Sequence, residues 1–254
     1  MVAKVKVVTF DLWDCLFIDD SDEPKRAKAG LQTKKVSRRE ILYNALSKIA
    51  PIDRILVDTA FDVVDAAFRK VWHDQLVTWT VAERVSVLLE GLGRSLPKNI
   101  FDEIVVSYED MEVQYMPDPV PGAVDALRKL REQYKLAIIS DAIFTPGRNL
   151  RILLKEAGMY PYFDYFVFSD EIGVSKPHPA VFEAVARHFD IELQNIVHVG
   201  DRPHNDILGP QAVGARGVLL TAVKERPLEG ACPDAICKKY EDLPDIIQEL
   251  DIEN

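Results

Sequence analysis

Cysteine is scarce. Cys15, Cys232 and Cys237 are too few and too scattered for a disulfide framework, and Cys232 and Cys237 lack the partners of a zinc site. The expected location is therefore a reducing cytoplasm. No apolar run approaches the roughly 20 residues a membrane helix needs. The opening MVAKVKVVTF, broken by Lys4 and Lys6, lacks the pattern of a secretory signal. Basic charge is also short: 31 Lys plus Arg face 41 Asp plus Glu, for a net charge of −10. Phosphate backbones and anionic membranes demand clustered cations, so the expectation is neither nucleic-acid nor membrane binding. Internal repeats and low-complexity tracts are absent. A chain that is 48% hydrophobic and 28% charged has ordinary globular composition, so a disordered or fibrous protein is excluded.

Against these absences stands a clear alternation. Residues 5–11 form a β-branched, nearly continuous apolar run, the pattern of a strand buried on both faces. Residues 135–140 (KLAIIS), 165–169 (YFVFS), 195–200 (NIVHVG) and 217–221 (GVLLT) repeat that character, and helical patterns at 122–133, 147–158, 180–189 and 205–214 separate them. Strand and helix in turn predict an α/β fold, a doubly wound, Rossmann-like parallel sheet whose ligand sits at the carboxyl ends of the strands. Between the first two strands, residues 34–50, 52–75, 80–91 and 98–115 carry only helical spacing, with Thr80 and Glu83 placed for a capping box. Residues 18–117 are thus expected to form an inserted α-helical cap, and residues 1–17 and 118–254 the core. The acidic DDSDEPK and the proline-bearing MPDPVPG flank the insertion as candidate hinges.

The strand ends carry the chemistry. Asp11 closes the first strand, Ser140 and Asp141 the second, Ser169 and Asp170 the third, and Gly200 and Asp201 the fourth, while Lys176 lies in the loop GVSKPHP. Asp at one strand end means little, because Asp is common in turns. Brought to one sheet edge, however, the set supplies a nucleophile, a hydroxyl donor, a cation and a second carboxylate for a metal. Phosphoryl transfer through an aspartyl intermediate needs those parts.

The segments TFDLWDCLF, IISDA, VSKPHPAVFEAV and VGDRPHNDILGPQAVGA resemble, in order, the four motifs of the haloacid dehalogenase-like hydrolase superfamily, and the helical insertion lies where that superfamily places its cap. The resemblance implies that Asp11 is the nucleophile. It implies a Mg²⁺ cofactor held by Asp11, the carbonyl of Trp13 and Asp201, with Asp206 a ligand through water or an orienting group. Lys176 would neutralise the phosphate and Asp11; Ser140 and the backbone N–H groups of Leu12 and Asp141 would donate to phosphate oxygens. The partner implied is a small phosphorylated metabolite. His178 and His204 read as loop residues, and Asp206 also suits the first turn of a helix.

One position departs from the pattern. The superfamily's phosphatases usually carry Asp two residues after the nucleophile as general acid and base; this chain has Trp13 there, and Asp14 next to it would point the other way along an extended segment. Three readings remain open: a phosphatase in which another group, or a good leaving group, replaces the acid; a metal-independent 2-haloacid dehalogenase with Asp11 attacking carbon; and a non-catalytic ligand- or partner-binding relative. The acidic forms of IISDA and VGDRPHND favour the first, with Trp13 as a pocket wall. In the cap, the acid-free run from Pro24 to Arg39 reads as a solvated, mobile segment or as an electrostatic guide for anions, and Phe61, Phe68, Trp72 and Trp79 read as cap core. Carboxylates concentrate before that run (Asp19, Asp20, Asp22, Glu23) and in the C-terminal segment (Glu241, Asp242, Asp245, Glu249, Asp251, Glu253).

Overall fold

The computed structural model describes residues 3–252. Glu253, and positions 1, 2 and 254 of the expected core, lie outside them. Six parallel strands, β1 (Val7–Phe10), β2 (Lys135–Ser140), β3 (Tyr165–Phe168), β4 (Ile196–Gly200), β5 (Arg216–Leu220) and β6 (Ala235–Cys237), form one sheet in the order β3-β2-β1-β4-β5-β6. Every residue of β1 and β4 is buried, as the apolar runs require of central strands covered on both faces. The strand order runs outward from β1 to β2 and β3 on one side and to β4, β5 and β6 on the other, and this switch in winding between β1 and β4 places a crevice at their carboxyl ends. The sequence reading did not include β6. It has three residues, one of them the exposed Ile236, too short a pattern to stand out.

Six helices follow β1: α1 (Glu23–Lys28), α2 (Lys34–Ile49), α3 (Arg54–Gln75), α4 (Val81–Gly91), α5 (Lys98–Glu109) and α6 (Met111–Gln114). Thr80 caps α4 as expected: its Oγ1 accepts from Glu83 N and its own N–H donates to Glu83 Oε2. The pattern at 98–115 is broken at Asp110, where Asn149 Nδ2 donates to Glu109 O and to Asp110 Oδ1, both at 2.8 Å. Leu42, Leu46, Val57, Phe61, Val85, Leu88 and Ile104 from α2–α5 bury one another in a cluster separate from that of the sheet. The two segments joining these helices to the sheet run side by side. Ile18 N donates to Asp118 O, Asp118 N to Ser21 Oγ, and Lys25 pairs with Asp118 at 2.6 Å.

The basic run is solvated only in part: Lys28 and Lys35 are exposed, whereas three of its seven cations are buried. Arg26, Lys34 and Arg38 are buried, and α1 and the start of α2 occupy the stretch. Lys34 Nζ lies 2.8 Å from both Asp22 and Glu112 and 3.1 Å from Asp20. Asp20 and Asp22 of the acidic knot ahead of the run are therefore counter-charges to Lys34, while Arg39 pairs with Asp58 and Asp62 of α3.

Helices α7 (Ala123–Arg131), α8 (Gly147–Glu156), α9 (Ser169–Ile172), α10 (Pro179–Phe189), α11 (Gly209–Ala212) and α12 (Leu243–Ile252) alternate with the later strands. Where a regular helix was expected from 205, a wide π-helical turn spans Pro203–Leu208 before α11. Such turns recur at functional sites. This one presses Asp206 against the end of β4 so closely that a Cβ at Gly200 would stand 2.4 Å from Asp206 Cγ; only glycine fits there. Among the described residues no helix is long and apolar enough to cross a membrane.

Candidate active site

Asp11, Ser140, Asp141, Lys176, Asp201 and Asp206 gather at the carboxyl ends of β1, β2 and β4, all buried. Lys176 is the hub. Its Nζ lies 2.7 Å from Asp11 Oδ1 and 2.6 Å from Asp206 Oδ1, and its backbone N–H donates to Asp141 Oδ1 at 3.0 Å. Burial disfavours the ammonium, but Asp11, Asp206 and Asp141 outweigh it and hold the Lys176 pKa above the usual lysine range. Asp206 shows the reverse balance: burial works against the carboxylate, while Lys176 and His198 hold its pKa below normal.

Carboxylate oxygens of Asp11, Asp201 and Asp206 lie within 4.8 Å of one another. They are not equally free. Asp206 Oδ1 takes Lys176 and His198 Nε2 (3.1 Å), and its Oδ2 accepts from Arg202 N at 2.8 Å. Asp201 Oδ2 accepts from Arg226 Nε at 2.6 Å, but its Oδ1 is buried without a partner. Burial, with Asp11 and Asp206 close by, pushes the Asp201 carboxyl up to about 7. Three hard oxygen donors around an orphaned carboxylate oxygen suit a divalent cation such as Mg²⁺. Ser140 Oγ is likewise buried and unpartnered. Burial raises Asp141 to about 6 despite Lys176 beside it, and Asn205 Nδ2 approaches its other oxygen at 3.4 Å.

Trp13, Trp72 and Arg202 line the cleft above Asp11 and Lys176. Trp72 stacks on Phe68, with centroids 6.2 Å apart, as a cap aromatic was expected to, but it is half-buried and also faces the cleft, with the Arg202 guanidinium 5.8 Å from its ring centroid. Phe61 and Phe68 are buried as expected, and Trp79 packs against Phe68. Asp14 adopts a left-handed backbone (φ 52°), and its carboxylate is engaged by Arg226 at 3.1 Å and Lys224 at 3.6 Å. His178 caps α10, its Nδ1 accepting from Ala180 N, and His204 is an exposed residue of the π turn.

Three residues escaped the sequence reading. His198 was visible as a lone polar residue inside an apolar strand. Burial depresses its pKa despite the Asp206 carboxylate, so the ring is neutral. Nε2–H then donates to Asp206, leaving Nδ1 to accept from Thr9 Oγ1 at 2.8 Å. Arg202 lay within a quoted motif but was given no role. Arg226 carried no local signal, since it reaches Asp201 and Asp14 from the loop after β5.

At the end of the central strand of a Rossmann-like sheet, a buried carboxylate is clamped by a lysine beside an acidic cluster. The haloacid dehalogenase-like hydrolase model matches residues 5–214, and the chain belongs to that family. Glyceraldehyde 3-phosphate phosphatase of Pyrococcus abyssi is 27% identical over 251 residues, spanning 98% of this chain and 95% of its own. The protein of that name from Pyrococcus furiosus is 26% identical over 259 residues, spanning 100% and 96%. A solved 2-haloacid dehalogenase from Pseudomonas syringae pv. Tomato superposes with a TM-score of 0.69 at 20% identity, over 96% of this chain and 99% of its own. A HAD phosphatase from Thermococcus onnurineus gives 0.63 at 20%, over 96% and 98%. At that identity the structural likeness speaks to the fold alone.

Proposed function

We propose that this hydrolase is a Mg²⁺-dependent phosphatase that cleaves a small phosphomonoester through an aspartyl phosphate on Asp11. The observation that carries the reading is the bridge from Asp11 through Lys176 to Asp206, set beside the orphaned Asp201 oxygen. A carboxylate attacking carbon needs no such acidic cluster. A carboxylate attacking a phosphate dianion needs its negative charge offset. Bound Mg²⁺ would supply part of that offset. Asp11, Asp201 and the carbonyl of Trp13 are its proposed ligands, with Asp206, both of whose oxygens are already engaged, as an orienting group.

In the first step Asp11 attacks phosphorus, the bond to the ester oxygen breaks, and the leaving alkoxide takes a proton from a water molecule in the cleft. Lys176 balances charge on the nucleophile, while Ser140 Oγ and the N–H groups of Leu12 and Asp141 donate to phosphoryl oxygens. In the second, water attacks the same phosphorus, releasing phosphate and restoring Asp11. Residues 18–117 serve as the cap that keeps bulk water from the intermediate. Trp13 is the wall against which the leaving group packs. Asp14, tied to Arg226 and Lys224, does not supply the acid missing at position 13, so leaving groups that need little protonation are favoured. The names of the relatives make glyceraldehyde 3-phosphate a compound to assay.

The test is release of phosphate from an aryl phosphate and of halide from a 2-haloacid, each with and without EDTA. Metal-dependent phosphate release that is lost in Asp11→Asn supports the reading. Halide release that survives EDTA supports the dehalogenase instead.

A further inference from the structure

The cleft above Asp11 continues past Trp13, Trp72 and Ile143 into a wider part lined by Arg38, Phe144 and Thr145. Arg38 stands on α2 with its guanidinium over the Phe144 ring, 3.4 Å from the centroid. It is only 7% exposed, and its Nε is buried without a partner. Among the described residues no ion pair and no hydrogen bond engages its guanidinium.

Its neighbours differ. Arg84, 3.9 Å above the same ring, is paired with Asp65 at 2.6 Å. Lys34 has Asp20, Asp22 and Glu112, and Glu112 also accepts from Thr145 Oγ1. Asp19 is exposed at the rim. Arg202, at the junction of the two parts, lies in the field of the Asp11, Asp201 and Asp206 carboxylates. Arg26 is also buried without an ion pair, but its guanidinium donates to Gln32 O and Ser37 Oγ. Among the described residues Arg38 is the buried cation with neither an ion pair nor a hydrogen bond. Burial, reinforced by Arg84, lowers its pKa to about 10 although Glu112 opposes the shift, so it stays charged at neutral pH. Buried charges in folded chains are paired, because an unpaired one is costly.

Resting on the phosphatase reading, we propose that Arg38 recognises a carboxylate at the far end of the substrate's leaving group, so that the preferred substrates are small phosphomonoesters bearing a carboxylate. The planar guanidinium fork matches a carboxylate, and stacking on Phe144 fixes its plane. The surrounding Glu112, Asp19 and Asp20 disfavour a dianion, which selects a carboxylate over a second phosphate.

The experiment compares phosphoglycolate with 2-hydroxyethyl phosphate, which differ in the carboxylate, in the Mg²⁺-loaded protein and in Arg38→Met. The wild type should favour phosphoglycolate in kcat/KM by about ten- to a hundredfold, the scale of one desolvated charge-assisted contact. Arg38→Met should reduce that preference to less than about threefold, chiefly through KM, and leave 2-hydroxyethyl phosphate nearly unchanged. The ligand-free variant should melt no lower than the wild type, because an unpaired buried charge has been removed. Equal losses on both substrates, or a marked fall in Tm, would assign Arg38 a structural role and overturn the proposal. Preference for ethylene glycol bisphosphate over phosphoglycolate would overturn the carboxylate assignment. If neither ester is hydrolysed, the phosphatase reading fails on its own. The Arg38 site is then judged by whether phosphoglycolate raises Tm more than 2-hydroxyethyl phosphate in the wild type but not in Arg38→Met; equal shifts in the two proteins overturn it.

Discussion

Replacing Lys176 by Met removes the cation that two buried carboxylates share while keeping its length and apolar stem. Lys176 Nζ sits 2.7 Å from Asp11 and 2.6 Å from Asp206, and Asp206 is fully buried. Breaking a buried pair by deleting one partner costs about 3–5 kcal/mol, because the remaining charge stays buried and uncompensated. For a chain of this size the melting temperature should fall by about 10 °C in EDTA. The pH dependence gives a sharper test. In the wild type Asp206 is held below its ordinary pKa, so its contribution to stability is present above the unfolded carboxylate value and lost as pH falls towards the folded one. Without Lys176, burial is no longer outweighed and raises the folded pKa of Asp206 relative to the wild type. The stability lost in the variant then grows as pH rises from the wild-type folded value of Asp206 to that of the variant. The deficit of Lys176→Met relative to wild type should therefore be larger at pH 8 than at pH 5. Adding Asp206→Asn to Lys176→Met should recover part of it. Thermal melts by circular dichroism at the two pH values suffice. A deficit independent of pH, or no deficit at all, would refute the claim that Lys176 balances a buried acidic pair.

Three further outcomes are expected. Asp201 carries a carboxyl pushed up to about 7 in the metal-free protein, and its ionisation costs stability that is lost as pH rises from about 4 through 7. Mg²⁺ must displace that proton, so calorimetry should show the apparent Kd falling about tenfold per pH unit from pH 5 to 7 and levelling above; a Kd flat across that range would contradict the assignment. Trp13→Asp should raise alkyl phosphate turnover relative to aryl phosphate by about a hundredfold, the usual worth of a general acid, and an unchanged ratio would mean that protonation of the leaving group is not decided at position 13. His198→Phe should lower stability by about 1–3 kcal/mol, since Asp206 loses a donor and Thr9 an acceptor inside the sheet; urea unfolding equal to wild type would show that the relay carries no weight.

Part of the site was legible because Asp11, Ser140 and Asp201 stand at the ends of strands whose runs are largely apolar. Asp11 follows Val7–Phe10 and Asp201 follows Ile196–Gly200, so topology alone brings them to one edge. Lys176 joined them through a loop motif rather than through periodicity. Within the basic run the burial of Lys34 and Arg38 was not legible because it depends on Glu112 and Phe144, more than seventy residues away along the chain. No local pattern encodes such a partner. Arg226 was invisible for the same reason. The π turn at Pro203–Leu208 was hidden because nothing in its local sequence distinguishes it from an α-helical start, although it brings Asp206 against Gly200.

The central claim is that Asp11 attacks phosphorus. Acid quenching of the Mg²⁺-loaded protein during turnover of an aryl phosphate, followed by peptide mass spectrometry, reads this directly. The expected result is a phosphoryl group on the peptide containing Asp11, absent in EDTA and absent in Asp11→Asn. Steady phosphate release with no phosphoryl group on that peptide, or with the group on another residue, would contradict the account.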